Sequence, residues 1–332
     1  MNKEQTNTAD WANWTTIISQ YLKPSPLRSW WQLINSFVPY FGLLVAMYYS
    51  MEVSYWLTLA LSIPAAGFLV RIFIIFHDCG HGSFFKTEMA NRITGIITGM
   101  MVFTPYHRWH YEHQVHHKTV GNLDKRGVGD VMTMTVEEYK DSTPKQQSYY
   151  RWYRNPVMLL LIVPFFLFTF LFRLHGTNQT NKMHLQTHLT TLTLILLIVL
   201  ISYFIGFWTF VLIQVPILLI ASIAGVWMFY VQHQFEDVIW ERSENWDYKT
   251  MAMEGSSYYK LPRILQFFTG NIGFHHIHHL GPKIPNYYLE KCHKENPIFQ
   301  KEPLTFWKSF SSVRYRLWDE TKHKLVSFKE AI

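Results

Sequence analysis

Residues 189–232 contain no Lys, Arg, Asp or Glu. That stretch constrains the fold more than any other, because a bilayer-crossing helix needs about 20 predominantly apolar residues. It suits two such spans turning near Gly206. Residues 34–50 and 53–76 form two further apolar runs, each close to spanning length. Only 16% of the chain is charged, where soluble chains carry about 25%. The connection between the first two runs holds one charge, Glu52, and their outer flanks carry Lys23, Arg28, Lys86 and Arg92. Positive charge stays on the cytoplasmic side of a membrane, so the connection is expected outside and both flanks in the cytoplasm.

The remaining segments fit around these spans. Residues 1–33 are polar, with Pro24, Pro26, Arg28, Trp30 and Trp31, and read as a cytoplasmic and interfacial segment with no signal-peptide core. Residues 34–76 are the first spanning pair, and 77–156 a cytoplasmic region. Within that region, 93–106 is apolar but short and interrupted by Gly95 and Gly99, as an in-plane or re-entrant helix would be. Residues 157–188 combine an apolar segment broken at Pro164 with a polar linker, 189–232 are the second spanning pair, and 233–332 hold no spanning run. The expected fold is an all-α integral membrane protein: four transmembrane helices, in-plane or re-entrant helices and a cytoplasmic helical cap. A charge of +7 and a pI near 9.2, on a chain with spans, suit anionic lipid or an acidic protein partner rather than nucleic acid. The two cysteines, Cys79 and Cys292, cannot form a disulfide framework, and Cys79 reads as a buried bystander.

Three histidine groups adjoin these segments. Residues 274–279 read FHHIHH, placing His275, His278 and His279 at i, i+3 and i+4 on one helix face, with His276 pointing elsewhere as a supporting or surface group. Residues 113–117 read HQVHH and repeat that spacing with His113, His116 and His117. Residues 77–81 read HDCGH, an i, i+4 pair of His77 and His81 at the end of a span. Neutral imidazole is the commonest metal ligand. One metal rarely takes more than about six donors, so eight imidazoles imply two metals. His233, where the last span ends, is a ninth candidate. Asp78, Glu112 and Asp124 are the nearest carboxylates to accept from ligand N–H groups. His107 and His110 extend the second group upstream, His110 as a supporting residue; His175, His184, His188, His293 and His323 stand apart. Zinc hydrolases manage with three ligands, whereas an all-imidazole pair against lipid suits iron or copper oxygen chemistry. A metal or haem transporter would line its spans with ionisable residues, and Arg71 is the only charge well inside a clear span.

The boxes HDCGH, HQVHH and HHIHH, in this order between paired spans, resemble those of the membrane fatty-acid desaturases, which carry HxxxH or HxxxxH followed by two HxxHH boxes. The resemblance covers nearly the whole chain. In residues 122–127, 254–257, 270–273 and 317–320 it is greatest to the Bacillus-type acyl-lipid Δ5 branch. It implies a non-haem di-iron centre held by His77, His81, His113, His116, His117, His275, His278 and His279, with His233 matching a further family histidine. Phe229 stands where some relatives carry an asparagine, and Asn271 is placed to support the third box. O2 and two electrons per turnover would convert a saturated phospholipid acyl chain to a cis alkene, in a bacterial plasma membrane adapting its fluidity to cold. The boxes would face the cytoplasm.

Without a flavin or haem domain in the sequence, electrons are expected from ferredoxin or flavodoxin. Such a donor would dock on Lys118, Lys125, Arg126, Arg151 and Arg154, charges that equally suit topology and anionic lipid. Phe73, Phe76, Trp227 and Met228 are candidates to line an acyl tunnel. Related hydroxylases and ketolases share the histidine scaffold, and spacing alone does not separate them from a desaturase.

Overall fold

In the computed structural model, which describes residues 11–174 and 179–331, four helices are long and apolar enough to cross a bilayer. They are Pro26–Ser50, Tyr55–Gly80, Asn181–Ile205 and Phe207–His233, spans 1 to 4. The first ten residues of the N-terminal segment, and His175 in the linker, lie outside the described residues. Span 1 starts at Pro26, ahead of its apolar run, because proline at the first helical turn gives up an N–H that has no partner there. Span 3 starts at Asn181, where the Thr180 side chain accepts from the Met183 N–H. Gly206, at φ 88°, makes the turn into span 4. Span 2 is the inner helix, with 56% of its apolar window buried against 6% for span 3, whose flanks are left to lipid.

Spans 2 and 4 both run past their apolar residues into histidine, ending at Gly80 and His233. The helix Glu88–Met101 follows, capped by Thr87 and too short to cross, and the box-two helix Tyr106–Thr119 comes next. Pro144–Tyr153 then bends by 51° into the segment Met158–Arg173. This segment opens with a π-helical turn, Met158–Ile162, just before Pro164, which has no N–H to continue an α-helical ladder. Counting it as a fifth span would put the second and third boxes on opposite sides, yet their rings touch. It turns back to the side from which it came.

Beyond the histidine side lies a cap of short helices. Its strands are only two or three residues long: Met134–Thr135, Leu317–Asp319 and Lys324–Val326 in one sheet, and Tyr259–Lys260 beside Leu304–Thr305 in another. Arg154 ties the cap together. Its guanidinium donates to the Met132 carbonyl, Thr133 Oγ1, Gln234 Oε1 and the Tyr315 carbonyl, all at 2.8 to 3.1 Å. This corrects the proposed docking surface, since Arg154 is 2% exposed. Arg126 is half-buried and paired to Glu138, and Arg151 donates to the Tyr139 hydroxyl while staying exposed, so Lys118, Lys125 and Arg151 are the exposed cations of that set.

Arg154→Met removes donors from four acceptors at once. Thermal unfolding in detergent should show a loss of about 3 kcal/mol or more, against less than about 0.5 kcal/mol for Lys125→Met.

Candidate metal centre

Each histidine box is placed by a different device. His77 lies in the last turn of span 2, and His81 closes that helix by giving its N–H to the His77 carbonyl at 3.2 Å. The box-two rings project from Tyr106–Thr119, where Trp109 stacks on His113 with centroids 4.4 Å apart. Box three is a helix of six residues, His275–Leu280, made largely of poor helix formers. Its surroundings hold it. Tyr259 gives its N–H to the Gly273 carbonyl at 2.7 Å, and a Cβ on Gly273 would fall 2.3 Å from the Tyr259 oxygen. Only glycine allows that approach.

The rings gather into two groups. His77, His81, His113, His117 and His278 form one, and His116, His233, His275 and His279 the other, with the facing nitrogens in each group within 4.8 Å of one another. All nine predicted ligand histidines are therefore brought together, in a pattern their spacing did not reveal. In box two the i, i+4 pair joins the five-membered group and His116 crosses to the other. In box three the i, i+4 pair joins the four-membered group and His278 crosses the opposite way.

The donor atoms fit metal ions. His81 and His113 Nε2 are 3.0 Å apart, His113 and His117 3.1 Å, and His117 and His278 3.0 Å. In the second group, His116 and His233 Nε2 are 3.1 Å apart, His233 and His275 2.9 Å, and His275 and His279 3.1 Å. Lone pairs facing at this distance repel unless a cation lies between them. Nitrogens bound to one ion at about 2.1 Å and at right angles would be about 3.0 Å apart. His77 Nε2, buried without a hydrogen-bond partner, points the same way.

The outward nitrogens are fixed by acceptors. Asp78 Oδ1 takes His77 Nδ1 at 3.1 Å, Asp130 Oδ1 takes His116 Nδ1 at 2.5 Å, and the Gly255 carbonyl takes His233 Nδ1 at 3.1 Å. A proton held at Nδ1 leaves the Nε2 lone pair inward. Burial, reinforced by neighbouring imidazoles, holds His81, His113, His117, His275, His278 and His279 far below the usual histidine pKa, so all are neutral near pH 7.

Supporting residues expected from the sequence divide. Asp78 touches His77 as expected. Asp124 does not reach a histidine: it pairs with Arg242 and accepts from the Ser243 N–H, both at 2.8 Å, and so ties two loops of the cap. Asp130 takes the role foreseen for it, because the turn at Gly129 (φ 72°) runs against the box-two helix, where a Cβ would meet the Glu112 carbonyl at 2.8 Å. Its only signal in the sequence is the glycine before it. His110 lies outside both groups, bonded to Gln114 at 2.7 Å and stacked on Tyr106. Asn271 supports box three as expected, its carbonyl accepting at 3.1 Å from the N–H of Phe274, which caps that helix, and its side chain also reaches toward box one. It donates to the Asn286 carbonyl at 3.3 Å, and Asn286 gives its backbone N–H and Nδ2 to Asp78 Oδ2 at 2.7 and 2.8 Å. His276 points away from both groups, as expected, and of the two places open to it takes the buried one. It bonds the Phe299 carbonyl at 2.8 Å, and burial takes its pKa to about 3. Phe229 packs on His116 and His233, with centroids 5.1 and 5.2 Å away.

An apolar cavity of about 450 Å³ ends at His77, His113 and His275. It descends between spans 2 and 4 to Leu69 and Leu218, walled laterally by Leu159, Val163 and Leu167 of the bent segment. Phe73 and Met228 line it as anticipated. Phe76 instead packs against Trp109, and Trp227 donates to the Tyr259 hydroxyl at 3.2 Å.

Fold and site together define a multi-pass membrane protein with a histidine-built metal centre at the end of an apolar cavity. The fatty acid desaturase family profile matches residues 53–310, and the chain belongs to that family. It is 45% identical over 327 residues to a fatty acid desaturase of Bacillus subtilis (strain 168), covering 98% of this chain and 93% of that relative. It is 28% identical over 257 residues to the sn-1 acyl-lipid omega-3 desaturase (ferredoxin) of Nostoc sp. (strain 36), covering 72% and 68%. It is also 23% identical over 323 residues to the sn-1 oleoyl-lipid 12-desaturase of Picosynechococcus sp., covering 92% and 88%. The chain is thus an oxidoreductase, a fatty acid desaturase.

Metal content measured by plasma mass spectrometry should fall in purified His278→Ala and stay at the wild-type level in His276→Ala, whose ring lies outside both groups. The metal-free protein carries a second signature. Its histidine pKa values are depressed, so the unfolded chain binds more protons below about pH 6.5. Thermal stability should therefore hold above that pH and decline as pH falls below it.

Proposed function

We propose that this desaturase acts with O2 on saturated acyl chains of intact membrane phospholipids, introducing a cis double bond at the Δ5 position. The observation that carries this reading is the convergence of histidines from three boxes and span 4 on the end of one apolar cavity. Two iron ions would occupy the two histidine groups. When bound they supply the oxidising power: one hydrogen leaves each of two adjacent methylenes, and with two electrons and two protons from outside, O2 becomes two waters.

The chain's own residues account for the rest. His77, His81, His113, His117 and His278 would hold one ion, and His116, His233, His275 and His279 the other. Asp78, Asp130 and the Gly255 carbonyl keep protons at Nδ1 of three of these rings. Phe73, Trp109 and Phe229 line the end of the cavity and exclude water beside the reacting methylenes. Dryness there protects the oxidant from side reactions.

Support for the Δ5 position is the likeness to the Bacillus branch, including the 45% identical Bacillus desaturase. Support for a lipid-linked substrate and a ferredoxin or flavodoxin donor is the acyl-lipid, ferredoxin-linked relative, with exposed Lys118 and Lys125 to meet an acidic partner. The distribution of Lys and Arg around spans 1 and 2 favours boxes toward the cytoplasm, and the likeness to the Bacillus desaturase favours a bacterial plasma membrane. Regulation of membrane fluidity in the cold is the matching role.

Expression in a bacterium making only saturated chains, grown cold and aerobically, tests this reading by gas chromatography–mass spectrometry of total lipids. New monounsaturated chains with a Δ5 bond should appear, and should be absent with His116→Ala. Hydroxylated chains would assign the protein to the hydroxylases, and a bond at another carbon would overturn Δ5.

A further inference from the structure

Gly225 has no structural reason to be glycine. Among ordinary residues only proline serves a helix interior worse, so a glycine there usually marks a close contact. At three other glycines of the membrane part it does: a Cβ would meet Phe268 at 3.0 Å from Gly67, Tyr106 at 2.3 Å from Gly95, and the Thr104 carbonyl at 2.7 Å from Gly99, whereas Gly42, on the exposed face of span 1, looks onto open surface and not onto a cavity. A Cβ on Gly225, in the middle of span 4, would meet nothing within 4 Å.

The open space beside it is the cavity. Leu218, Ser222, Gly225, Phe229 and Gln232 follow one another at three- and four-residue intervals, so they share a face of span 4, and all line the cavity wall. Ser222 adds no polarity, since its hydroxyl is turned back to the Leu219 carbonyl at 3.1 Å. Gly225 lies eight residues before His233, about 12 Å along the helix, and Leu218 closes the wall at about 22 Å. Glu112, Asp130 and Gln232 bring polar atoms to the histidine end of the lining, whereas the Thr269 hydroxyl, like that of Ser222, is turned back to a helix carbonyl, at 2.9 Å from that of Leu265. An ester group belongs at that polar end, which leaves the space beside Gly225 to the methyl end of the chain.

We propose that Gly225 sets the longest acyl chain this desaturase accepts, by leaving open the part of the cavity far from the histidines, where the methyl-terminal carbons lie. The inference rests on the acyl-chain reading above and adds a residue-level determinant to it.

The test uses the full-length enzyme in membranes of the saturated host, supplied with myristic, palmitic and stearic acids. The fraction of each chain desaturated is measured for wild type, Gly225→Ala and Gly225→Leu. One methylene in an apolar pocket is worth roughly tenfold or more in discrimination. Gly225→Leu should therefore lower stearoyl relative to myristoyl desaturation at least about tenfold, with the double-bond position unchanged. Gly225→Ala should lie between the two, with thermal stability equal to or above wild type. Should Gly225→Leu fail to fold, the chain-length profile of Gly225→Ala decides. An unchanged profile, or a loss falling equally on all three chains in folded protein, would overturn the proposal. Failure of the wild type to desaturate any chain would instead overturn the acyl-chain reading itself.

Discussion

Imidazole nitrogens facing one another at about 3 Å in a dry interior repel, and the architecture is organised around holding eight of them there with His77 Nε2 close by. No helix does this alone. The crossing of His116 and His278 between groups means that each group draws on at least three separate segments. Neither can form before the others are docked, and the spacing between the two is fixed by the same helices that build them. Gly273 admits box three against Tyr259, and Gly129 brings Asp130 onto His116. Asn286 and Asp78 tie the segment after box three to the end of span 2. The contacts of Gly273 and Asn286 help keep a six-residue helix, built largely of poor helix formers, in place.

The cavity and the centre share their scaffold. His77 ends span 2 and Phe73 lies one turn before it; His233 ends span 4 and Phe229 lies one turn before that. The register of two helices therefore fixes both where the donor nitrogens sit and which atoms of a chain in the cavity lie beside them. Such coupling suits an enzyme that must choose one methylene among many identical ones, because the protein supplies position and the metal the chemistry.

The spans were legible because apolar length is a local property, and the boxes because i, i+4 spacing, with i+3 added in the second and third, defines a face. The split between groups was not. All three positions share that face, and which ring crosses depends on how the box-two and box-three helices oppose each other. Phe73 could be found from its place one turn before His77, and the same rule at His233 points to Phe229, where the sequence had suggested Trp227. Asp124 looked near a box in the chain, but its loop turns it to Arg242; Asp130 arrives through a glycine turn that spacing does not describe. Arg154 looked like surface charge, yet four acceptors from three distant segments keep it buried. Long-range partners of this kind leave no periodicity to read.

The central claim is that the nine histidines make two adjoining iron sites. Iron quantification combined with X-ray absorption at the iron edge, on the purified reconstituted protein, tests it most directly. The expected result is two irons per chain, one for each histidine group, with nitrogen ligands at about 2.1 Å and no sulfur. A single iron per chain, or a sulfur ligand from Cys79, would contradict it.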